Sequence, residues 1–468
     1  MRTLSDLRAG VGRSDITPPV GIAHAGWGAQ THQRAGAVDM PLLCTALVLA
    51  REDLRIAIVD LDTIWLMPDL DGAVRDAVSE ATGIEPANIR LSYSHTHSGP
   101  IVDFTWMTEG DELIPPYTSA LPALVAEAAS QAQKTMQPVR VGAGRGECGI
   151  NINRRAALPD GELFCGRNWD GYVDREVLVV GLDDLEGHPL ATIVNYACHG
   201  TIIGPPSRSL TPDFPGPMRQ TVEQTIGGLC LFLQGATGNI GPVNGFVDDV
   251  DVYRLAGRKL GIEASRVRID IDPIPRTEEL VRVLKSGAEL GIYEDKPTGE
   301  SDDNLAIVNS VVDFPVRDYP PVPEAQADFD RLKADLVQAR ATGDVDQVAG
   351  AAWPARRAEL ALHHAKLFGG GKVEIWIQAI RLGPIALVAT PLEPFAEIGR
   401  DIRQGSPAPY TAFSGYSNGY YGYMPTADAY PLGGYEVRTS PYEPEAAGQL
   451  VAACRDTLGS LWAQSDPA

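Results

Sequence analysis

Basic residues are scarce in this 468-residue chain, where 39 Lys and Arg face 61 Asp and Glu for a formal charge of −22. A surface of that sign repels phosphate backbones and anionic lipid, and no local run of Lys or Arg offsets it. Nucleic acid is therefore excluded as a partner. Long hydrophobic runs are missing too: the longest, such as Ile380 to Pro391, carry a charge or fall far short of the ~20 residues that a membrane span needs. Residues Met1 to Leu7 lack the apolar stretch and small-residue cleavage site of a secretion signal. Cysteine is sparse, and the six present (Cys44, Cys148, Cys165, Cys198, Cys230 and Cys454) form neither a CxxC pair nor a tight framework. Several lie in apolar segments, where Cys acts as a small hydrophobe. These absences predict a soluble, reduced, cytoplasmic protein with no membrane anchor. Self-association into a homo-oligomer is left open.

What is present is enough apolar residue, 44% of the chain, to bury a large core. The segments alternate in α/β style. Leu54 to Asp60 reads as a buried strand, Pro68 to Thr82 as an amphipathic helix, and Asn88 to Ser94 as a strand ending at His95. Helical periodicity returns at Thr118 to Met136, Gly216 to Gly227, Asp251 to Arg266, Glu324 to Ala341, Pro354 to Phe368 and Glu443 to Trp462. Further strands are expected at Glu176 to Leu182, Ala191 to Ala197, Leu229 to Gln234, Val373 to Leu382 and Ile385 to Thr390. The stretch at about 270–323, rich in Pro, Asp and Glu, reads as an excursion off the core. With no repeat and core-like elements on both sides of it, residues 1–468 are expected to form one composite domain of mixed β-sheets layered with helices.

Chemistry concentrates at predicted strand ends. Ser94-His95-Thr96-His97-Ser98-Gly99-Pro100 places two histidines two apart at a carboxyl end, an arrangement that suits a metal and suits a structural hydrogen-bonding pair equally well. A further histidine, His199, closes the strand Asn195-Tyr196-Ala197-Cys198, with Gly200 allowing a sharp turn after it. Cys198 and His199 point to opposite faces as strand neighbours, which argues against a Cys-His nucleophile. Glu393, in Thr390-Pro391-Leu392-Glu393-Pro394, follows another apolar strand. Two histidines and a glutamate make a common open zinc set, although an acid before a helix also fits the helix dipole. The Tyr- and Gly-dense segment from Tyr416 through Tyr435 and Glu436 reads as a site-forming loop or as aromatic surface packing.

These motifs, in this order, resemble the neutral, non-lysosomal ceramidases, together with Gly10-Val11-Gly12-Arg13-Ser14-Asp15-Ile16-Thr17-Pro18-Pro19, Asn151-Ile152-Asn153-Arg154 and the His199-Gly200-Thr201 segment with Asp213 and Gly216 downstream. The resemblance implies that one zinc is held by His95, His199, Glu393 and Tyr423, and that His97, Arg154 and Tyr435 contact the reacting group. The chain departs from that family in Gln234-Gly235-Ala236-Thr237-Gly238-Asn239-Ile240-Gly241-Pro242, where Asn239 stands for an aspartate and Gly241 for the family serine. No C-terminal β-sandwich is expected after the last helix.

The resulting expectation is a zinc-dependent hydrolase that cleaves an N-acyl amide of a small-molecule substrate with metal-activated water instead of a serine. His97 and Tyr435 assist, Arg154 positions a polar or anionic part of the substrate, and Asn239 and Gly241 line its place. Drift to a glycoside, lactone or ester bond is the alternative expectation, and a non-catalytic relic is the third.

Overall fold

In the computed structural model, residues 5–465 are described except 25, 27–31, 103–106, 108, 275, 299 and 300. Eight strands make the first sheet, in the spatial order Leu229–Gln234, Pro189–Tyr196, Glu176–Asp184, Gln137–Glu147, Arg8–Asp15, Leu43–Arg51, Leu54–Leu61 and Ile89–Tyr93. Neighbours run antiparallel except at the two ends, where Pro189–Tyr196 with Leu229–Gln234 and Leu54–Leu61 with Ile89–Tyr93 are parallel. Parallel neighbours need a crossover, and helices Pro215–Ile226 and Pro68–Thr82 supply one for each pair.

The sheet curls until its two ends touch. Phe232 N donates to Asp60 Oδ2 at 2.8 Å, and Gln234 Nε2 donates to Ser94 O at 3.1 Å. Arg219, on the crossover helix Pro215–Ile226, clamps the same junction from behind by ion pairs to Asp60 at 2.9 Å and Asp62 at 2.5 Å. The carboxyl ends of the two parallel pairs are thereby brought side by side.

A second sheet of Leu305–Pro315, Lys372–Leu382, Ile385–Ala389 and Tyr410–Ser414 covers the first. Leu49, Leu182, Ile193 and Leu231 of the first sheet share a core with Ile380, Ile385 and Leu387 of the second. Helices lie on the outer faces. The fold is thus the expected α/β arrangement of mixed sheets layered with helices. Among the described residues, no helix is long and apolar enough to cross a membrane, and all six cysteines are unpaired, with Cys165 exposed.

Several elements differ from expectation for identifiable reasons. Arg8–Asp15 and Gln137–Glu147 are strands that glycine-rich sequence disguises. A Cβ at Gly10 or Gly12 would collide with the Ala132 or Ala128 carbonyl of helix Ile114–Lys134, so these glycines serve close helix packing and not a turn. The helix expected from Pro354 begins at Val345, capped by Asp344, and carries Pro354 inside it. Only part of the expected excursion leaves the core: Arg276–Leu284 and Leu290–Pro297 form a hairpin exposed at every residue, while Leu305–Pro315 belongs to the second sheet. Helices Val322–Thr342 and Val345–Phe368 lay Phe329, Leu336, Ala355 and Leu362 against Ala23, Ile101 and Met107, beside the loop that follows His97.

Candidate metal centre

The site sits where the curled sheet closes. His95 leaves strand Ile89–Tyr93 in the left-handed region, with φ 59°, a conformation costly for a non-glycine residue and held here because its N–H donates to Thr63 O at 3.0 Å. Its loop runs against the one carrying His199: Thr96 bridges Gly200, and His97 N donates to Gly200 O at 3.1 Å. A Cβ at Gly200 would lie 2.6 Å from His95 O, so only glycine permits this approach.

The imidazole orientations follow from their outer bonds. His95 Nδ1 lies 2.8 Å from Ile64 O and His199 Nδ1 3.0 Å from Thr237 O. Carbonyl oxygens only accept, so both Nδ1 atoms carry the proton and both Nε2 atoms present lone pairs. Those lone pairs face each other at 3.0 Å, and His97 Nε2 stands 3.3 Å from His95 Nε2. Glu393 Oε1 joins them at 3.2 Å from His199 and 3.7 Å from His95. Among the described residues that buried oxygen has no hydrogen-bond donor, whereas Glu393 Oε2 accepts from Tyr420 OH at 2.7 Å.

Protonation does not relieve this crowding. Burial, followed by the His199 charge, pushes His95 down to about 3 against the opposing pull of Glu393. Burial also holds His97 and His199 well below the ordinary imidazole range. The facing His95 and His199 lone pairs and the Glu393 oxygen beside them, with no proton between them, repel one another, and a shared cation reverses the sign of that interaction. Chemically, the donor set fits one divalent ion, with the three histidine donor atoms all within 4.8 Å of one another.

Around this cluster stand the other residues singled out from sequence. Tyr423 pairs with Glu393 in a short parallel bridge of Glu393–Pro394 with Tyr423–Met424, so both arrive on adjacent strands. Arg154 Nη2 donates to Tyr423 OH at 3.0 Å, and its Nε donates to Glu436 Oε1 at 2.9 Å. Arg155 takes the other Glu436 oxygen at 2.8 Å. The Tyr435 ring stands edge-on to Tyr423, centroids 5.6 Å apart, and remains 37% exposed, open to a ligand.

The loop that departs from the family pattern ties these parts together. Thr237 holds His199 through its carbonyl, and its hydroxyl bonds Tyr416 OH at 2.6 Å. Gly238 N donates to Pro394 O at 2.8 Å. Asn239 accepts Arg154 N on its carbonyl at 2.8 Å, while its side-chain oxygen accepts Ala396 N and its amide donates to Glu397 Oε2, each at 2.8 Å. Gly241 lies against Arg154, and a Cβ there would sit 3.4 Å from Arg154 Cβ, an ordinary contact.

Some members escaped sequence reasoning. Tyr416 lies over His95 with centroids 4.1 Å apart, and Trp65 stacks on Tyr420 at 4.2 Å. The aromatic density of the late loop signalled a site, but nothing in its spacing separated Tyr420, which holds Glu393, from Tyr423. Trp65, directly after the strand Leu54–Leu61 and its bend, carried no local signal at all.

A cluster of three histidines beside one buried carboxylate, set where the ends of a curled mixed sheet meet, is compatible with a metal site in an α/β protein. Residues 7–233 match the family described as neutral/alkaline non-lysosomal ceramidase, N-terminal, and over them the chain is similar to that family. It is 25% identical over 221 residues to neutral ceramidase A of Dictyostelium discoideum, covering 45% of this chain and 31% of that protein. Neutral ceramidase B of the same organism is 26% identical over 170 residues, covering 33% of this chain and 24% of that protein. The chain therefore matches a third or less of the length of these relatives. In fold it is similar to the crystal structure of neutral ceramidase from Pseudomonas aeruginosa, with a TM-score of 0.70 at 19% identity, covering 99% of this chain and 75% of that one. A ceramidase complexed with C2 gives a TM-score of 0.67 at 18% identity, covering 99% and 76%.

Proposed function

We propose that the chain is a zinc-dependent hydrolase that cleaves an N-acyl amide bond by attack of water, without a serine nucleophile. The observation that supports this reading is the approach of the unprotonated His95 and His199 Nε2 atoms to each other and to Glu393 Oε1, with His97 Nε2 3.3 Å from His95 Nε2. The likeness to proteins that bear the name ceramidase supports the bond type.

His95, His199 and Glu393 would hold the single ion, with Tyr423 completing the set. When bound, the ion would supply a Lewis acid that polarises a carbonyl and lowers the pKa of water to about 7. The chain's own groups divide the remaining work. Tyr435, partly exposed beside Tyr423, donates a hydrogen bond to the carbonyl oxygen as negative charge develops there. His97, neutral because of burial, accepts the proton given up by water and returns it to the leaving nitrogen. Arg154, fixed by Glu436 and Tyr423, orients the substrate instead of reacting. Gly241 offers no hydroxyl, so water attacks the acyl carbon directly and no acyl ester forms at that position.

The test combines metal analysis with product release from a panel of ceramide, short N-acyl amines, N-acyl amino acids, lactones and glycosides. Chelation should abolish turnover of the N-acyl class and zinc should restore it. His95→Ala and His199→Ala should each lose the bound metal and at least a thousand-fold (roughly) in kcat. Turnover that survives either substitution sinks the metal mechanism, and cleavage confined to lactones or glycosides sinks the amide assignment.

A further inference from the structure

The two halves of the cluster arrive from different sheets. His95 follows Ile89–Tyr93 at one end of the first sheet, whereas Glu393 follows Ile385–Ala389 of the second. A cation shared between them needs both side chains held to about 0.5 Å, and backbone placement alone does not decide which carboxylate oxygen faces inward. One short segment serves both ligands. Thr63 O accepts His95 N at 3.0 Å, Ile64 O accepts from His95 Nδ1 at 2.8 Å, and the Trp65 ring stacks on Tyr420 with centroids 4.2 Å apart and planes 13° apart. Tyr420 in turn donates its hydroxyl to Glu393 Oε2 at 2.7 Å. Residues 63–65 therefore set His95 directly and Glu393 through one aromatic ring.

The loop that carries Tyr420 is tied down on both sides. Asn418 N donates to Leu91 O at 2.8 Å, and the Asn418 side-chain oxygen accepts Leu91 N at 3.0 Å, which binds the loop to the strand before His95. Gly419 N donates to Tyr93 OH at 3.2 Å, and that hydroxyl donates to the buried Asp71 carboxylate. On the other side of Tyr420, Tyr421 N donates to Pro391 O at 2.8 Å, in the turn that leads to Glu393. With the backbone bonded before and after it and the ring stacked on Trp65, the Tyr420 hydroxyl has little freedom to leave Glu393.

The consequence lies in the oxygen that remains. Oε2 is taken by the phenol, so Oε1 is the atom that faces His199 at 3.2 Å and His95 at 3.7 Å, and among the described residues it has no donor. A carboxylate that offers one oxygen adds a single ligand beside the histidines and suits the low coordination number of zinc, whereas one that offers both suits larger ions such as calcium. We propose that Tyr420 is a positioning residue which, held by Trp65, reserves Glu393 Oε2 and leaves Oε1 alone to the cation. The inference rests on the metal-site reading above. Tyr420 acts only through Glu393 and takes no part in bond making or breaking.

The experiment compares the full chain with Y420F, which keeps the ring against Trp65 and deletes only the hydroxyl, and with H95A. Zinc affinity is read by competition with a chromophoric chelator. The visible absorption of bound Co(II), whose intensity falls as the number of ligands rises, reads the coordination. Wild type should bind one zinc and H95A should not. Y420F should bind zinc about ten- to a hundred-fold more weakly, as loss of an outer partner of a ligand usually does. Its Co(II) absorption should be weaker than that of wild type because the second carboxylate oxygen joins, and the denaturation midpoint of the metal-free protein should not move. Wild-type zinc affinity and Co(II) absorption in Y420F overturn the proposal and leave the metal reading standing. A weaker affinity that comes with a lowered metal-free midpoint also overturns it, since the hydroxyl then serves folding. A wild type that binds no zinc, or zinc that H95A does not release, defeats the metal reading and this proposal together. Zinc binding that Y420F weakens in the expected way, without turnover of any N-acyl amide by wild type, supports the proposal and defeats the hydrolase reading alone.

Discussion

Asn239 shows how a single departure from a family motif acquires a physical reason. Its amide donates to Glu397 Oε2 at 2.8 Å while its oxygen accepts Ala396 N. An aspartate here would set two carboxylates against each other, next to a Glu397 whose pKa burial already raises. Because the same residue holds Arg154 N and neighbours the Pro394 contact, that repulsion would displace Arg154 and Glu393 together. N239D should therefore lower kcat/KM by roughly ten- to a hundred-fold, the equivalent of about 1–3 kcal/mol, and recover as pH falls and one of the two carboxyls takes up a proton. The double variant N239D/E397Q restores a donor and an acceptor in exchanged positions. It should recover activity and zinc content near neutral pH; pH–rate profiles of the three proteins check this, and a double variant no better than N239D refutes the pairing.

At the scale of elements, the junction that brings the sheet ends together depends on helix Pro215–Ile226. Arg219 carries its guanidinium into a fully buried pair of acids, Asp60 and Asp62, and Asp60 also receives Phe232 N from the opposite sheet end. Burial raises the Asp60 pKa to about 6 even with Arg219 opposing it. Removing the cation strands two carboxylates, so R219M should cost about 3–5 kcal/mol, as breaking a buried pair usually does. Chemical denaturation of the metal-free protein measures it. A loss below about 1 kcal/mol would mean that the junction does not depend on the clamp. The crossover helix was legible from its periodicity. Its partner acids were not, because Asp60 and Asp62 read locally as the polar end of a strand.

For the whole molecule, buried histidines set the response to acid. Burial and the His32 charge lower His24 to about 4, and burial with the His363 charge lowers His364 to about 4, against 6.5 for an exposed imidazole. A depressed folded-state pKa means that the unfolded chain binds the proton first. The stability these groups contribute is complete above pH 6.5 and is lost as pH falls from there toward about 4. Each group adds a slope of about 1.4 kcal/mol per pH unit inside that window. His364 packs in a three-ring cluster with Tyr319 and Phe368. H364F should keep that packing and reduce the slope between pH 6 and pH 5 by about one proton's worth, read from denaturation curves at both values; an unchanged slope would show that His364 does not titrate in this way.

Taken by itself, the sequence determined the acidic surface, the α/β class and the strand ends at which His95, His199 and Glu393 stand, because burial, periodicity and turn residues act locally along the chain. It also named His97, Arg154, Tyr423 and Tyr435 through the family resemblance, and it exposed the two exchanged positions, Asn239 and Gly241. Strands Arg8–Asp15 and Gln137–Glu147 stayed hidden, since their glycines answer to a helix packed across them. Only the tertiary structure decided that the sheet curls end to end and turns the His95 and His199 lone pairs toward one Glu393 oxygen, with His97 beside them. It alone set Tyr420 under Glu393. Such meetings depend on ångström distances between residues far apart in sequence, which are fixed by sheet curvature and core packing and leave no trace in local spacing.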